Sequence, residues 1–72
     1  LNTFSKLKEY EGRLVPLRRA VEMAPRNPQA SYDLAVLHME YGRMQKGLDI
    51  LRRILKLHPN FTKAKDRIKA NL

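Results

Sequence analysis

Seventy-two residues suffice for one small domain with a modest core. Fifteen Lys and Arg against seven Asp and Glu give a net charge of +8, which favours anionic partners or keeps a small surface well solvated. The absence of Cys excludes disulfides and thiolate metal sites, and His38 and His58 stand too far apart to form a helical ligand pair, so no metal site is expected.

The pattern along the chain is helical, and five helices are expected, over 1–10, 14–24, 28–40, 44–57 and 61–71. Strong helix formers dominate and β-branched residues are few. The first two helices are separated by Gly12, with Pro16 tolerable only if the second begins near residues 13 to 15, so that proline falls in its first turn. In the third, Ala30, Leu34, Leu37 and Tyr41 recur at steps of three and four, widened by Ala35, Val36 and Met39. Asn27 suits its N-cap, Pro28 its first turn and Gly42 its left-handed C-terminal cap. The fourth carries Met44, Leu48, Leu51, Ile54, Leu55 and Leu57 and is stopped by Pro59. Asn60 or Thr62 is expected to cap the fifth. Short connections make neighbouring helices antiparallel.

The stretch LRRAVEMAPRN, residues 17 to 27, returns as LRRILKLHPNF, residues 51 to 61, with Leu17 and Leu51, the two Arg-Arg pairs, and Pro25 and Pro59 all 34 residues apart. A fixed period of this size on paired helices marks a repeat array. The complete unit, residues 28–61, has Ser31 at a large first position, Leu34-Ala35 at a leucine-plus-small pair, and His38 at an aromatic place. It has Gly47 where the second helix needs a small residue, Leu51 at a later aromatic place and Pro59 at the close. In these positions, and in its turn glycine Gly42, the chain resembles the tetratricopeptide repeat family. Residues 1–27 then form a degenerate first repeat, with Lys8 where Gly42 predicts a glycine, and residues 62–72 a capping helix carrying Lys65, Ile68 and Lys69. The resemblance implies an all-α solenoid of right-handed, antiparallel helix-turn-helix repeats.

It also implies binding of a peptide or protein segment, as a scaffold or adaptor, in a groove lined by the first helix of each unit. Carried onto this chain, that groove is Gln29, Tyr32, Asp33, Val36, Met39 and Glu40, with Lys63, Arg67 and Ala70 on the last helix and Asn2, Ser5 and Lys6 on the first. Tyr32, Val36 and Met39 step along one face and suit an apolar anchor, or the packing of a neighbouring helix. Lys63 and Arg67 have the spacing of the family's carboxylate clamp and Asn2 falls at one of its Asn places, but Asp33 stands at the other and repels a carboxylate.

A second surface is expected on the convex side, where Arg18, Arg19, Arg52 and Arg53, with Lys46 and Lys56, form a basic band suited to nucleic acid or another anionic partner. Few aromatics are interleaved for base stacking, and Glu22 with Arg18 and Asp49 with Arg53 have i, i+4 spacing that neutralises part of the band. Self-association through exposed end faces is a third reading, because arrays need about three repeats for stability. The acids form no pair on an apolar face, Ser5 and Ser31 lack a histidine partner, and the glycines are dispersed, so neither catalysis nor a cofactor is expected. No apolar run reaches membrane-spanning length and no signal-peptide pattern opens the sequence, which fits an intracellular chain. The first residue is not Met, and a piece of a longer protein, or a processed one, is expected.

Overall fold

The computed structural model describes residues 3–71, and among these it contains four α-helices and no strand: α1 (Thr3–Met23), α2 (Pro28–Glu40), α3 (Met44–Leu57) and α4 (Thr62–Ala70). The expected ranges of α2 and α3 are met residue for residue.

The first two expected helices are one. α1 runs for 21 residues through Gly12 and carries Pro16 in its interior. A reversal like the one between α2 and α3 needs a left-handed residue, and Gly42, with φ of 83°, is the only residue with positive φ among those described. The position 34 residues earlier is Lys8, for which that conformation costs about 1–2 kcal/mol, so the chain continues as helix. Pro16 therefore does not fall in a first turn. It removes the hydrogen bond to the Gly12 carbonyl and is carried at a cost of about 3 kcal/mol.

The ends of α2 follow from single residues. The Asn27 side chain accepts a hydrogen bond from the Gln29 N–H at 3.0 Å, and Pro28 occupies the first turn. At the other end the Arg43 N–H bonds to the His38 carbonyl at 2.7 Å and the Gly42 N–H to that of Met39 at 3.2 Å, the two bonds of a Schellman motif around a left-handed glycine. α3 closes with the His58 N–H on the Ile54 carbonyl, just before Pro59. Neither Asn60 nor Thr62 caps α4. Phe61 holds the N-cap position; its ring has no acceptor to offer the helix and instead packs edge-on against Tyr32, centroids 5.8 Å apart. Packing, not capping, sets where α4 begins.

The core lies between α2, α3 and α4. Ala35, Met39, Leu51, Ile54 and Ala64 are buried together, with Tyr32, Leu48, Leu55, Phe61 and Ile68 packed around them. Gly47 lets α3 approach α2 closely: a Cβ there would meet the Ala35 carbonyl oxygen at 2.8 Å and overlap the Met39 side chain. α1 joins the slab through one stripe, with Tyr10 buried and Leu14, Leu17 and Val21 half-buried. The Cα trace spans only 40 × 31 × 14 Å, so several apolar side chains stay in solvent, including Phe4, Val15 and Met23 on α1 and, against expectation, Met44 and Leu57 at the two ends of α3.

Candidate functional site

An open cleft of about 410 Å³ runs between α1, α2 and α4. Its α2 wall carries Tyr32, Asp33, Val36, Leu37 and Glu40 at the helical spacing that puts them on one side. Arg67 reaches in from α4, and Arg13, Pro16 and Leu17 form the wall from α1. Apolar atoms of Pro16, Leu17, Val36 and Leu37 face a rim of two cations and two carboxylates.

Five of the expected groove residues therefore converge: Tyr32, Asp33, Val36, Glu40 and Arg67. Gln29 and Lys63 sit beside them in a chain of hydrogen bonds. Lys63 Nζ donates to Gln29 Oε1 at 3.1 Å, and Gln29 Nε2 donates to Asp33 Oδ1 at 3.0 Å. Lys63 Nζ also lies 6.0 Å from the Tyr32 ring centroid. Met39 does not join the groove. It is buried in the core, where its side chain fills the space left by Gly47, and it borders only a smaller depression of about 240 Å³ with Glu40, Met44, Arg67, Ala70 and Asn71. Ser5 and Lys6 are exposed on the first turns of α1 and line neither hollow, and Asn2 lies outside the described residues.

Arg13, Pro16 and Leu17 had no groove signal in the sequence. Repeat register assigns that wall to a preceding first helix, and these residues line the cleft because α1 continues without a break.

The cleft's charges are unevenly satisfied. Arg13 Nη1 stands 4.0 Å from Glu40 Oε1 with both side chains more than half exposed, a pair worth well under 1 kcal/mol. Asp33 accepts from Gln29. Arg67 is half-buried, and its Nε is fully enclosed without a hydrogen-bond partner. An unsatisfied buried donor costs about 1–3 kcal/mol.

A second polar cluster closes the α1–α2 interface. The Tyr10 hydroxyl is 2.9 Å from His38 Nδ1 in a buried contact, the Tyr41 hydroxyl donates to Glu9 Oε1 at 2.8 Å, and the Arg43 guanidinium lies 5.1 Å from the Tyr10 ring centroid. Burial lowers the His38 pKa, and the nearby charges of Lys46, Arg43 and Arg18 lower it further. The hydrogen bond to Glu9 raises that of Tyr41. His38 is thus a neutral packing residue at pH 7, inside a basic surround.

All six residues of the expected basic band, Arg18 and Arg19 on α1 and Lys46, Arg52, Arg53 and Lys56 on α3, are exposed. The expected ion pairs differ. Asp49 pairs with Arg52 at 3.8 Å, one turn away at i, i+3, and accepts from Gln45 Nε2 at 3.1 Å, while no pair joins it to Arg53 or Glu22 to Arg18 among the described residues. No described helix is long and apolar enough to cross a membrane.

No curated protein and no solved structure matches the chain significantly. The family model of the tetratricopeptide repeat matches residues 15–72, which takes in the second half of α1 and all of α2, α3 and α4. The chain belongs to the tetratricopeptide repeat family.

Proposed function

We propose that the chain binds a segment of a partner protein in the cleft between α1, α2 and α4, as a scaffold or adaptor module. Tetratricopeptide repeats are in general non-enzymatic protein–protein interaction modules, which supports the class of function. The observation that carries the site is the cleft itself, where the half-buried Arg67 borders an apolar floor of Pro16, Leu17, Val36 and Leu37. A bound segment that sets an apolar side chain on Val36 and Leu17 and an acceptor against the Arg67 guanidinium uses both features at once. Lys63, the other half of the clamp spacing, is engaged with Gln29, and Asp33 faces the same space, so the favoured acceptor is a side-chain or backbone oxygen and not a terminal carboxylate held by five residues.

Short random peptides selected on the wild-type protein test this. Binders should lose about tenfold or more in affinity on Val36→Glu and on Arg67→Gln, read by fluorescence anisotropy. Selected peptides indifferent to both changes would place the binding surface elsewhere.

A second reading has one observation behind it. Arg18, Arg43 and Lys46, from α1, the turn and α3, all act on the buried His38, so their charges share one side of the molecule. An anionic partner would bind there with an affinity that falls steeply as salt rises, and absence of binding to a duplex oligonucleotide at low salt excludes nucleic acid from that role.

A further inference from the structure

α2 presents a ridge of alternating chemistry to the cleft. Asp33, Val36 and Glu40 recur at i, i+3 and i+7, which sets an acid, an apolar side chain and an acid in a row over about 10.5 Å of one helix face. Asp33 and Glu40 are exposed and Val36 is half-buried. Among the described residues Asp33 has no ion pair, and Glu40 has only the long one to Arg13.

The α1 wall lacks the cover that its repeat equivalents have. Arg13 and Leu17 stand 34 residues before Gly47 and Leu51. α2 lies over Gly47 and Leu51, so closely that a Cβ on Gly47 would meet the Ala35 carbonyl oxygen at 2.8 Å. No described helix lies over Arg13 and Leu17 on the cleft side: Leu17 is half-buried and the Arg13 side chain is 57% exposed. A helix resting there stays further out than α2 does at Gly47, because Arg13 holds it off. Its side chains, not its backbone, then fill the cleft.

We infer that the cleft takes an amphipathic helix of a partner protein, with Lys or Arg at i and i+7 on Asp33 and Glu40 and an apolar residue at i+3 on Val36 and Leu17. Such a helix is one form of the segment proposed for the cleft and rests on that reading. Its direction follows from α4. Lys63 bonds to Gln29, and Arg67 shares the cleft with Asp33, both at an offset of 34, so neighbouring first helices run parallel and in register. A helix in the same relation to α2 meets Asp33, Val36 and Glu40 in that order. An extended segment fits the row poorly, since side chains on one face of a strand recur about 7 or about 13 Å apart, whereas i+7 on a helix gives about 10.5 Å.

The probe is a fluorescently labelled, alanine-rich peptide of about 18 residues with Lys, Leu and Lys at i, i+3 and i+7, titrated by anisotropy. It should bind the wild type with a Kd below about 1 mM. Asp33→Asn and Glu40→Gln, both at exposed positions, should each weaken it about two- to fivefold with the protein's helical circular-dichroism signal kept. Moving the second Lys to i+5 turns it about 140° off the row and should weaken binding by a similar factor. Proline at i+5, a position facing solvent, should abolish binding, because it breaks a helix and spares an extended segment. Asp33→Lys/Glu40→Lys should reverse the preference, towards a peptide with Glu at i and i+7. No binding below about 1 mM, indifference to both carboxylates, or full tolerance of proline overturns the inference. If the helical probe fails while selected peptides still lose affinity on Val36→Glu and Arg67→Gln, the cleft remains the site and only the helix is removed. Selected peptides indifferent to those two changes remove both.

Discussion

The Tyr10 hydroxyl and His38 Nδ1 meet at 2.9 Å across 28 residues of chain, in a buried contact that ties α1 to α2. His38 sits there with a pKa below the 6.5 of a free histidine, because burial disfavours the charged ring and Lys46, Arg43 and Arg18 add to that. The unfolded chain therefore binds more protons than the folded one between the folded pKa and 6.5. The stabilisation from neutral His38 is complete above pH 6.5 and declines as pH falls through that window, levelling off below the folded pKa. Thermal melts between about pH 7.5 and about pH 5, above the range where carboxylates titrate, should show Tm falling with acidification. His38→Phe should lower Tm at neutral pH, since Tyr10 loses its partner, and should flatten the slope. Equal slopes in the two proteins would remove His38 as the cause.

The parts of the fold legible in the sequence are those governed by local chemistry. Asn27, Pro28 and Gly42 act on the backbone within a turn of themselves, so the bounds of α2 and α3 follow from them alone. Gly12 and Pro16 permit a break but do not make one. Folding the start of α1 back needs a turn residue at Lys8 and a covered seat beyond it, and neither is a local property of residues 12 to 16. The groove residues on α2 followed from repeat register, while Met39 left that register because Gly47 opens a gap only a flexible side chain fills. The α1 wall was hidden for the same reason as the continuous helix that forms it.

Two glycines in helices should respond to Ala in opposite directions. At Gly12 a Cβ meets nothing within 4 Å, so Gly12→Ala should stabilise by about 0.5–1 kcal/mol through the entropy of the unfolded chain. At Gly47 the Cβ is within 2.8 Å of the Ala35 carbonyl oxygen, which belongs to the backbone and cannot swing aside. Gly47→Ala should destabilise, with an overpacking cost of about 1–3 kcal/mol outweighing the propensity gain. Urea denaturation of the two variants reads both signs.

Leu51 and Leu17 offer a test of how far burial follows the repeat. Leu51→Ala empties a fully buried site, at a cost of about 2–5 kcal/mol, which is a large part of the roughly 4–10 kcal/mol expected for a chain of this length. Its melt should lose most of its cooperativity. Leu17→Ala removes a half-buried side chain and should cost about 1 kcal/mol. Equal losses at the two positions would mean that the two repeats bury their equivalent leucines alike.

Gly42 holds φ at 83°, and the bonds from the Gly42 and Arg43 N–H groups to the Met39 and His38 carbonyls depend on that angle. Nothing lies within 4 Å of a Cβ built there, so the cost of a side chain is conformational and not steric crowding by neighbours. Gly42→Ala should destabilise by about 1–2 kcal/mol, and Gly42→Asn by less, because Asn visits the left-handed region more readily. If the turn alone separates the folded-back unit from the continuous helix, Gly42→Lys should act at the α2–α3 junction as Lys8 does in α1. It should weaken the α2–α3 reversal more than Gly42→Ala, since the long side chain adds desolvation and entropy losses to the same backbone strain. Hydrogen exchange at the Gly47 N–H, which bonds to the Arg43 carbonyl at 3.2 Å at the start of α3, should rise in the order Asn, Ala, Lys. An exchange rate unchanged from wild type in all three would show that the packing of α2 on α3, and not the turn, holds the reversal.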